Sequence, residues 1–97
     1  MDVEAERRFA VRHENKLLHG SMDRLVIRRL GNAVVGLEII DFKTDQLVEG
    51  ETLEERAKGY APQMEAYCQA ARKLYPDVQN ISAKLVFASL NKVVDVL

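Results

Sequence analysis

The hydrophobic residues in the first half of the chain follow the patterns of β-strands. Three runs rich in such residues are separated by turn-forming pairs and lie at residues 8–13, 16–28 and 33–43. In the first run, Phe9 and Val11 alternate with other residues, which is the period of a half-buried strand. The third run is almost wholly apolar, as expected of a central strand buried on both faces. Because Glu14-Asn15 and Gly31-Asn32 predict tight turns, the three strands should form an antiparallel meander.

The second half of the chain follows the period of an α-helix. Thr52 and Glu55 fit a capping box at the start of a helix. After them, hydrophobic residues recur at steps of three and four, as on one face of a helix. These residues are Leu53, Ala57, Tyr60, Met64, Tyr67, Ala71 and Leu74. Because Pro62 would be costly inside a helix, we expect a short helical piece, a break and a main helix over residues 61–75.

Two apolar runs near the end of the chain, at residues 81–90 and 92–96, predict two further strands around a turn at Asn91. The predicted order is β-β-β-α-β-β. It indicates an α/β fold on a mixed β-sheet, with an antiparallel three-strand meander, a helix and two further strands. At 97 residues the chain is long enough for one domain, which we expect to span residues 1–97.

Composition excludes several classes of protein. The chain has no stretch of about twenty apolar residues, so we expect no membrane partner, and its charged start does not resemble a signal peptide. Cys68 is the single cysteine, which rules out a disulfide within the chain and any metal site built from several cysteines. Together these features predict a cytoplasmic protein.

The charged residues are unevenly distributed, although the net charge is only −1. Arginines are concentrated in the first third of the chain, at positions 7, 8, 12, 24, 28 and 29. Glutamates form an acidic patch in the middle, at positions 49, 51, 54 and 55. Domains that bind nucleic acid are usually basic, but the arginine cluster allows a local basic surface. A solvated surface of mixed charge is the alternative.

Asp41 and Lys43 end the most hydrophobic strand and are the first candidates for chemistry. Residues two apart in a strand point to the same face, so these side chains should lie together. If the chain turns at Gly31-Asn32, facing residues have numbers that sum to 63 or 64, which places Asp23 beside Asp41. Neighbouring carboxylates raise each other's pKa by repulsion. The pair therefore needs a cation, either a lysine or a divalent metal.

Two interpretations of this cluster follow from the residues. With a backbone carbonyl, the two carboxylates would form an all-oxygen site suited to Mg²⁺ or Mn²⁺. Lys43 could then orient an attacking water or neutralise charge on a phosphate, as in metal-assisted phosphodiester hydrolysis. The alternative is structural, with Asp41 and Lys43 in an ordinary salt bridge and Asp23 half exposed.

Three segments, in order along the chain, carry a resemblance to a known family. They are Gly20-Ser21-Met22-Asp23-Arg24, then Ile39-Ile40-Asp41-Phe42-Lys43-Thr44, then the set of Tyr60, Gln63 and Tyr67. This arrangement resembles the PD-(D/E)XK nucleases, which have a restriction-endonuclease-like core. More narrowly, it is similar to the RecB/AddA-type nuclease domain at the C-terminus of UvrD/Rep-like helicase–nucleases. The resemblance extends over nearly the whole chain.

The resemblance implies a metal site and a catalytic set. Asp23 and Asp41 would be metal ligands, with the backbone carbonyl of Phe42 completing the protein's share. Lys43 would be the catalytic lysine, so that Asp23, Asp41 and Lys43 form the catalytic residues. The cofactor would be Mg²⁺, with Mn²⁺ as a substitute.

The resemblance also implies contacts with the substrate. Gln63 and Tyr67, on the helix across the site, would contact water or DNA near the scissile phosphate, and Arg24 would contact DNA as well. Core packing is the alternative for Tyr67 and even more so for Tyr60, because both lie on the apolar stripe of the helix.

The chain departs from the family pattern at three points. Phe42 replaces the usual tyrosine, which leaves the carbonyl ligand intact. The family has an earlier helix that often carries a histidine ligand, and neither His13 nor His19 matches its position. A single cysteine excludes the iron–sulfur branch of the family, which uses four.

The resemblance implies a Mg²⁺-dependent DNA exo/endonuclease coupled to a helicase in double-strand break repair and recombination. Its partners would be DNA, the helicase domain of the same chain and a partner subunit of a helicase–nuclease complex. We interpret residues 1–97 as a C-terminal fragment that should self-associate through an uncovered sheet face or an exposed sheet edge. The alternatives are a non-cutting nuclease-fold module that binds DNA or protein, and a stand-alone phage-type exonuclease.

Overall fold

A computed structural model describes residues 2–4, for their backbone, and residues 6–96. The strands are β1 (Asp2–Glu4), β2 (Arg7–His13), β3 (Lys16–Met22), β4 (Arg24–Leu30), β5 (Ala33–Lys43), β6 (Asn80–Phe87) and β7 (Lys92–Asp95). The helices are α1 (Leu53–Lys58) and α2 (Ala61–Leu74), and a 3₁₀ turn spans Ala88–Leu90. Strands precede and follow the helical region, as predicted, but in the described part of the chain five strands come before it instead of three.

The strands form a five-stranded sheet in the order β1-β4-β5-β6-β7 and a separate hairpin of β2 and β3. In the sheet, β5 and β6 are parallel, whereas the other neighbouring pairs are antiparallel. Helix α2 packs on one face of the sheet and also contacts the hairpin. The predicted α/β class with a mixed sheet is therefore confirmed, and the arrangement agrees with a restriction-endonuclease-like core.

The strand predicted over residues 16–28 is divided at Asp23 into β3 and β4, which belong to different sheets. The predicted three-strand meander is therefore replaced by two hairpins, β2–β3 and β4–β5. Met22 and Leu25 on either side are both fully buried, so the apolar pattern continues through the break and hides it. At the break, Asp23 Oδ2 accepts a hydrogen bond of 2.9 Å from the backbone N–H of Phe42. The Asp23 side chain thus accepts a hydrogen bond from a backbone N–H that a neighbouring strand would otherwise accept in regular pairing.

The hairpin of β4 and β5 has the predicted register. The numbers of paired residues sum to 64 from Arg24, opposite Ile40, as far as a bulge between Arg28 and Arg29, and to 63 beyond it. The predicted turn is found at Gly31, whose φ of 64° is typical of tight hairpin turns. This register brings the end of β5 beside the start of β4.

Strand β5 is buried on one face rather than on both. Leu37 and Ile39 face the core and are almost inaccessible, whereas Ile40 is half-buried and Phe42 is 41% exposed. Both helices contribute to the same core, so no helix in the described ranges covers the other face. The prediction of burial on both faces is wrong for the described residues, because an apolar run does not reveal how many layers pack against it.

The two helices begin as predicted. Thr52 caps α1, and its hydroxyl oxygen accepts a hydrogen bond of 3.1 Å from the N–H of Glu55. Helix α2 begins after a break at Gly59 and Tyr60, with Pro62 in its first turn, where the missing N–H has no helical partner to lose. Within the part of the chain that is described, neither helix has the length and hydropathy needed to cross a membrane.

Cys68 on α2 provides a test of this packing. Its side chain is 1% exposed, and burial raises the pKa of its thiol to about 11. We therefore expect a thiol reagent at pH 8 to modify the folded protein at least about a hundredfold more slowly than the urea-unfolded protein, because the thiolate is the reactive form. Similar rates in the two states would contradict the packing of α2 against the sheet.

Candidate active site

The break between β3 and β4 lies beside the end of β5, and two acidic residues meet at this junction. Asp23 is the residue at the break, and continuation of the β4–β5 register places Asp41 opposite it. The Asp23 carboxylate is fixed by its hydrogen bond with Phe42 N. It lies close enough to Asp41 to raise the pKa of that carboxyl. The junction therefore brings two carboxylates together on neighbouring strands.

Asp41 is the buried member of this pair, with 3% of its surface exposed. Burial is the largest cause of its raised pKa and Asp23 adds to the effect, whereas Lys43 opposes it. Lys43 Nζ lies 2.5 Å from Asp41 Oδ2 as an ion-pair partner. Even so, this oxygen accepts no hydrogen bond of regular geometry from the described residues. A buried carboxylate of this kind is stabilised by a neighbouring positive charge, which Lys43 supplies.

Three different groups hold the Lys43 ammonium. It pairs with Asp41, donates a hydrogen bond of 3.0 Å to Gln63 Oε1 and lies 4.1 Å from the centre of the Tyr60 ring. A lysine side chain is flexible and strongly hydrated in water, but only 15% of this one is exposed. The ammonium therefore occupies a defined position between the sheet and the start of α2.

Gln63 and Tyr67 extend this cluster along α2. Gln63 Nε2 donates a hydrogen bond of 3.0 Å to the Tyr67 hydroxyl, so the amide bridges Lys43 and Tyr67. The Tyr67 ring packs edge-on against Phe9 of the hairpin, with 5.7 Å between ring centres. Burial raises the pKa of Tyr67 and the two nearby carboxylates raise it further, which keeps the hydroxyl protonated at neutral pH. Tyr67 is therefore both a core residue and a hydroxyl that adjoins the site.

Arg24 lies apart from these residues. Its guanidinium is 5.3 Å from the centre of the Phe42 ring. Leu25, the next residue along β4, points into the core, so Arg24 points to the sheet face opposite α2. Arg24 is thus adjacent to the junction in sequence but is not brought together with Lys43 and Gln63.

A second polar cluster adjoins Lys43 through Tyr60, and reasoning from the sequence did not find it. The Tyr60 hydroxyl donates a hydrogen bond of 2.5 Å to Asp45 Oδ2, which also accepts one of 3.1 Å from Arg56. Arg56 donates two further bonds, of 3.0 and 2.7 Å, to the carboxylate of Glu51. The bond with Tyr60 lowers the pKa of Asp45 and raises that of Tyr60. The sequence offered one clue to this cluster. Asp45 follows Lys43 by two residues, and Arg56 comes directly after the glutamates that begin α1.

The oxygen atoms at the junction fit a hard divalent cation. Asp23 and Asp41 offer carboxylates. Because the N–H and C=O groups of an extended residue point to the same strand edge, the Phe42 carbonyl faces the edge where its N–H meets Asp23. Oxygen ligands of this kind suit Mg²⁺ or Mn²⁺. Among the described residues no three His, Cys, Asp or Glu side chains converge.

Comparison with protein families identifies the class of protein. The sequence profile of the PD-(D/E)XK nuclease superfamily matches residues 1–95. Because this match covers almost the whole chain, the protein belongs to that superfamily, whose members are generally metal-dependent nucleases. A comparison with curated proteins gives no match, and neither does one with solved structures.

The raised pKa of Asp41 leads to a pH-dependent prediction. The folded state binds this proton more tightly than the unfolded state, so the charged carboxylate disfavours folding above the ordinary pKa of Asp. Without divalent cations, Asp41→Asn should therefore keep or raise the free energy of unfolding at pH 7. The gain should fade as the pH falls towards about 4, where the unaltered carboxyl takes up its proton. Urea denaturation at several pH values measures both effects.

Asp77→Asn, at an exposed position, is the matched control and should change stability little. A large loss of stability at pH 7 for Asp41→Asn, without a similar loss for the control, would identify a structural salt bridge between Asp41 and Lys43.

Proposed function

We propose that this protein is a Mg²⁺-dependent DNA nuclease that hydrolyses phosphodiester bonds, with Asp23, Asp41 and Lys43 as its catalytic residues. The observation that carries the proposal is a pair of carboxylates beside a firmly held ammonium. An ordinary salt bridge would need one carboxylate for one lysine. Here a second carboxylate raises the pKa of the first, an arrangement that a bound cation would stabilise.

Asp23, Asp41 and the Phe42 carbonyl would hold Mg²⁺, with Mn²⁺ as a substitute. When bound, the ion would supply Lewis-acid activation of a water and stabilise negative charge on the phosphate. The N–H of Phe42 fixes the Asp23 carboxylate from one side, which leaves its other lone pairs for a ligand.

Lys43 would act on the reacting groups directly. In hydrolysis a water oxygen attacks phosphorus, one P–O ester bond breaks, and negative charge grows on the phosphate oxygens. A positive charge held beside them favours that transition state over the ground state. The low exposure of Lys43 strengthens the effect, because charges interact more strongly away from bulk water.

Gln63, Tyr67 and Arg24 would contact the substrate. The Gln63 amide already joins Lys43 to Tyr67, so it could align a water or a phosphate oxygen with the ammonium. The protonated Tyr67 hydroxyl could donate to the phosphate. Arg24, on the opposite sheet face, could only reach a strand of DNA that passes around the end of the sheet.

The β2–β3 hairpin would provide contacts with the DNA backbone, because it leads directly to Asp23. Arg8 and Arg12 lie on the same face of this hairpin, and both are exposed. Arginines in such positions neutralise phosphates and make binding weaken with salt. The overall charge of −1 does not prevent this, since the field near a surface depends on the local charges.

We further propose that the nuclease acts in the cytoplasm beside a helicase domain and a partner subunit, in double-strand break repair and recombination. Support comes from the resemblance of the three motifs to RecB/AddA-type nuclease domains. The open sheet face around Ile40 and Phe42 is suited to contact with further protein, including a second copy of the chain.

Cleavage assays test the proposed activity. With Mg²⁺ or Mn²⁺ the protein should cut single- or double-stranded DNA, and chelation of the metal should stop the reaction. Asp41→Ala and Lys43→Ala should each lower the rate at least about a hundredfold, while circular dichroism shows an intact fold.

Asp77→Ala and Lys73→Ala remove the same types of side chain from exposed positions and should cleave at the unaltered rate. Full activity of Asp41→Ala would overturn the proposed active site. DNA binding without any cleavage by the unaltered protein would favour a non-cutting nuclease-fold module.

Metal binding can be measured separately from cleavage. A cation at a tenfold excess over its Kd should raise the free energy of unfolding by about 1.4 kcal/mol, and Mn²⁺ should bind more tightly than Mg²⁺. Thermal denaturation should show this gain for the unaltered protein. It should show no such gain for Asp23→Asn or for Asp41→Asn. An equal gain in all three proteins would place the cation elsewhere.

A further inference from the structure

Tyr60 and its partners suggest how Lys43 is kept in place. We propose that Tyr60, fixed by Asp45 and Arg56, is a positioning residue that holds the Lys43 ammonium beside Asp41. This inference rests on the catalytic role proposed for Lys43. It extends the working site to α1 and to residues 44–52 before it.

The Lys43 ammonium is held by more than its own strand. It is the last residue of β5, and its ammonium is carried on a flexible four-carbon stem. Asp41 contacts the ammonium from the sheet and Gln63 contacts it from α2. The Tyr60 ring, 4.1 Å away, adds a cation–π contact. These contacts would keep the ammonium in one position while a substrate phosphate competes for its charge.

The Tyr60 ring is itself fixed at both ends. Its backbone occupies the N-cap position of α2, and its hydroxyl donates to Asp45. The ring also packs against Phe87 of β6, with 6.4 Å between ring centres. A ring held at the backbone, at the hydroxyl and along its side is a rigid support for a cation.

Arg56 completes the support from α1. It donates one hydrogen bond to Asp45 and two to Glu51, and Glu51 also accepts a bond from Val48 N. The guanidinium therefore ties the connection before α1 to the residue that anchors Tyr60. A planar, forked donor of this kind fixes the direction of its partners better than a lysine would.

Tyr60 also engages a second carboxylate near Lys43. Asp45 accepts hydrogen bonds from the Tyr60 hydroxyl and from Arg56, whereas Lys43 lies over the Tyr60 ring. The bond with Tyr60 lowers the pKa of the Asp45 carboxyl most, and the Lys43 charge is close enough to lower it further. Because Asp45 is already held by two donors, Lys43 is left to pair with Asp41.

NMR spectroscopy of the 97-residue chain tests the placement of Lys43 without any need for activity. The side-chain CεH₂ protons of Lys43, assigned by comparison with Lys43→Arg, should be shifted upfield of those of the other lysines by the Tyr60 ring current. Tyr60→Leu should remove the shift. Tyr60→Phe and Asp45→Asn should reduce it, because the ring remains while its hydrogen bond to residue 45 is lost in the first variant and weakened in the second. Tyr75→Leu, which removes a half-buried tyrosine at the other end of α2, should leave it unchanged.

DNA cleavage with Mg²⁺ provides the second readout. Tyr60→Leu should lower kcat by about 10- to 100-fold, since misplacement of a catalytic group by about 1 Å can cost about a hundredfold, with little change in KM. Tyr60→Phe should retain more activity than Tyr60→Leu. Tyr60→Phe and Asp45→Asn should be non-additive in the double variant, because they act on the same hydrogen bond, which the first removes and the second weakens by neutralising the acceptor. If Tyr60→Leu does not fold, the two conservative variants carry the test.

A Lys43 shift that persists in Tyr60→Leu would overturn the proposal, as would an unchanged kcat after the shift is lost. A folded variant that loses both the Lys43 shift and most of its kcat would support the proposal. If the unaltered protein cleaves no DNA but the shift is still reduced in Tyr60→Phe and Asp45→Asn, which keep the ring, the proposed hydrolysis fails while the positioning of Lys43 by Tyr60 stands.

Discussion

The hydrogen bond between the Asp23 carboxylate and the N–H of Phe42 is the constraint on which the candidate active site depends. It lies where the chain leaves the β2–β3 hairpin and enters the five-stranded sheet. One contact therefore fixes the position of Asp23, defines which edge of β5 the Phe42 backbone faces, and brings Asp23 to Asp41. Asp23 therefore does more than end strand β3. It links the β2–β3 hairpin to the five-stranded sheet at the place where the two acids meet.

The close approach of the two carboxylates is unfavourable for folding, and other contacts in the structure offset this. Asp41 is buried beside another carboxylate, and burial and repulsion both raise its pKa. Lys43 reduces that cost, and its ammonium is in turn held by Gln63 and Tyr60. Fully buried Ile39 and Leu85 on β5 and β6 stabilise the sheet next to the charged residues. Unfavourable local charge at a site supported by a well-packed core is typical of functional sites.

The sequence allowed the register to be predicted, because paired positions in an antiparallel hairpin have a constant sum once the turn is known. That constraint was enough to place Asp23 beside Asp41. The division of the strand at Asp23 could not be predicted, since buried Met22 and Leu25 continue the apolar pattern across it. The contacts of Tyr60 with Asp45 and Lys43 were also missed. They join a helix start to a loop, and periodicity carries no information about such distant polar pairs.

The parallel pairing of β5 with β6 has a consequence for the order in which the protein assembles. Residues 44–79 separate the two strands, so this ladder must close a much longer loop than either hairpin. Contacts between β4 and β5 are local and should form with less loss of chain entropy. The two acids can therefore meet early, whereas Gln63 and Tyr60 reach Lys43 only after α2 has docked. In a chain that folds in this order, the acidic pair would form before the Lys43 ammonium is held by α2.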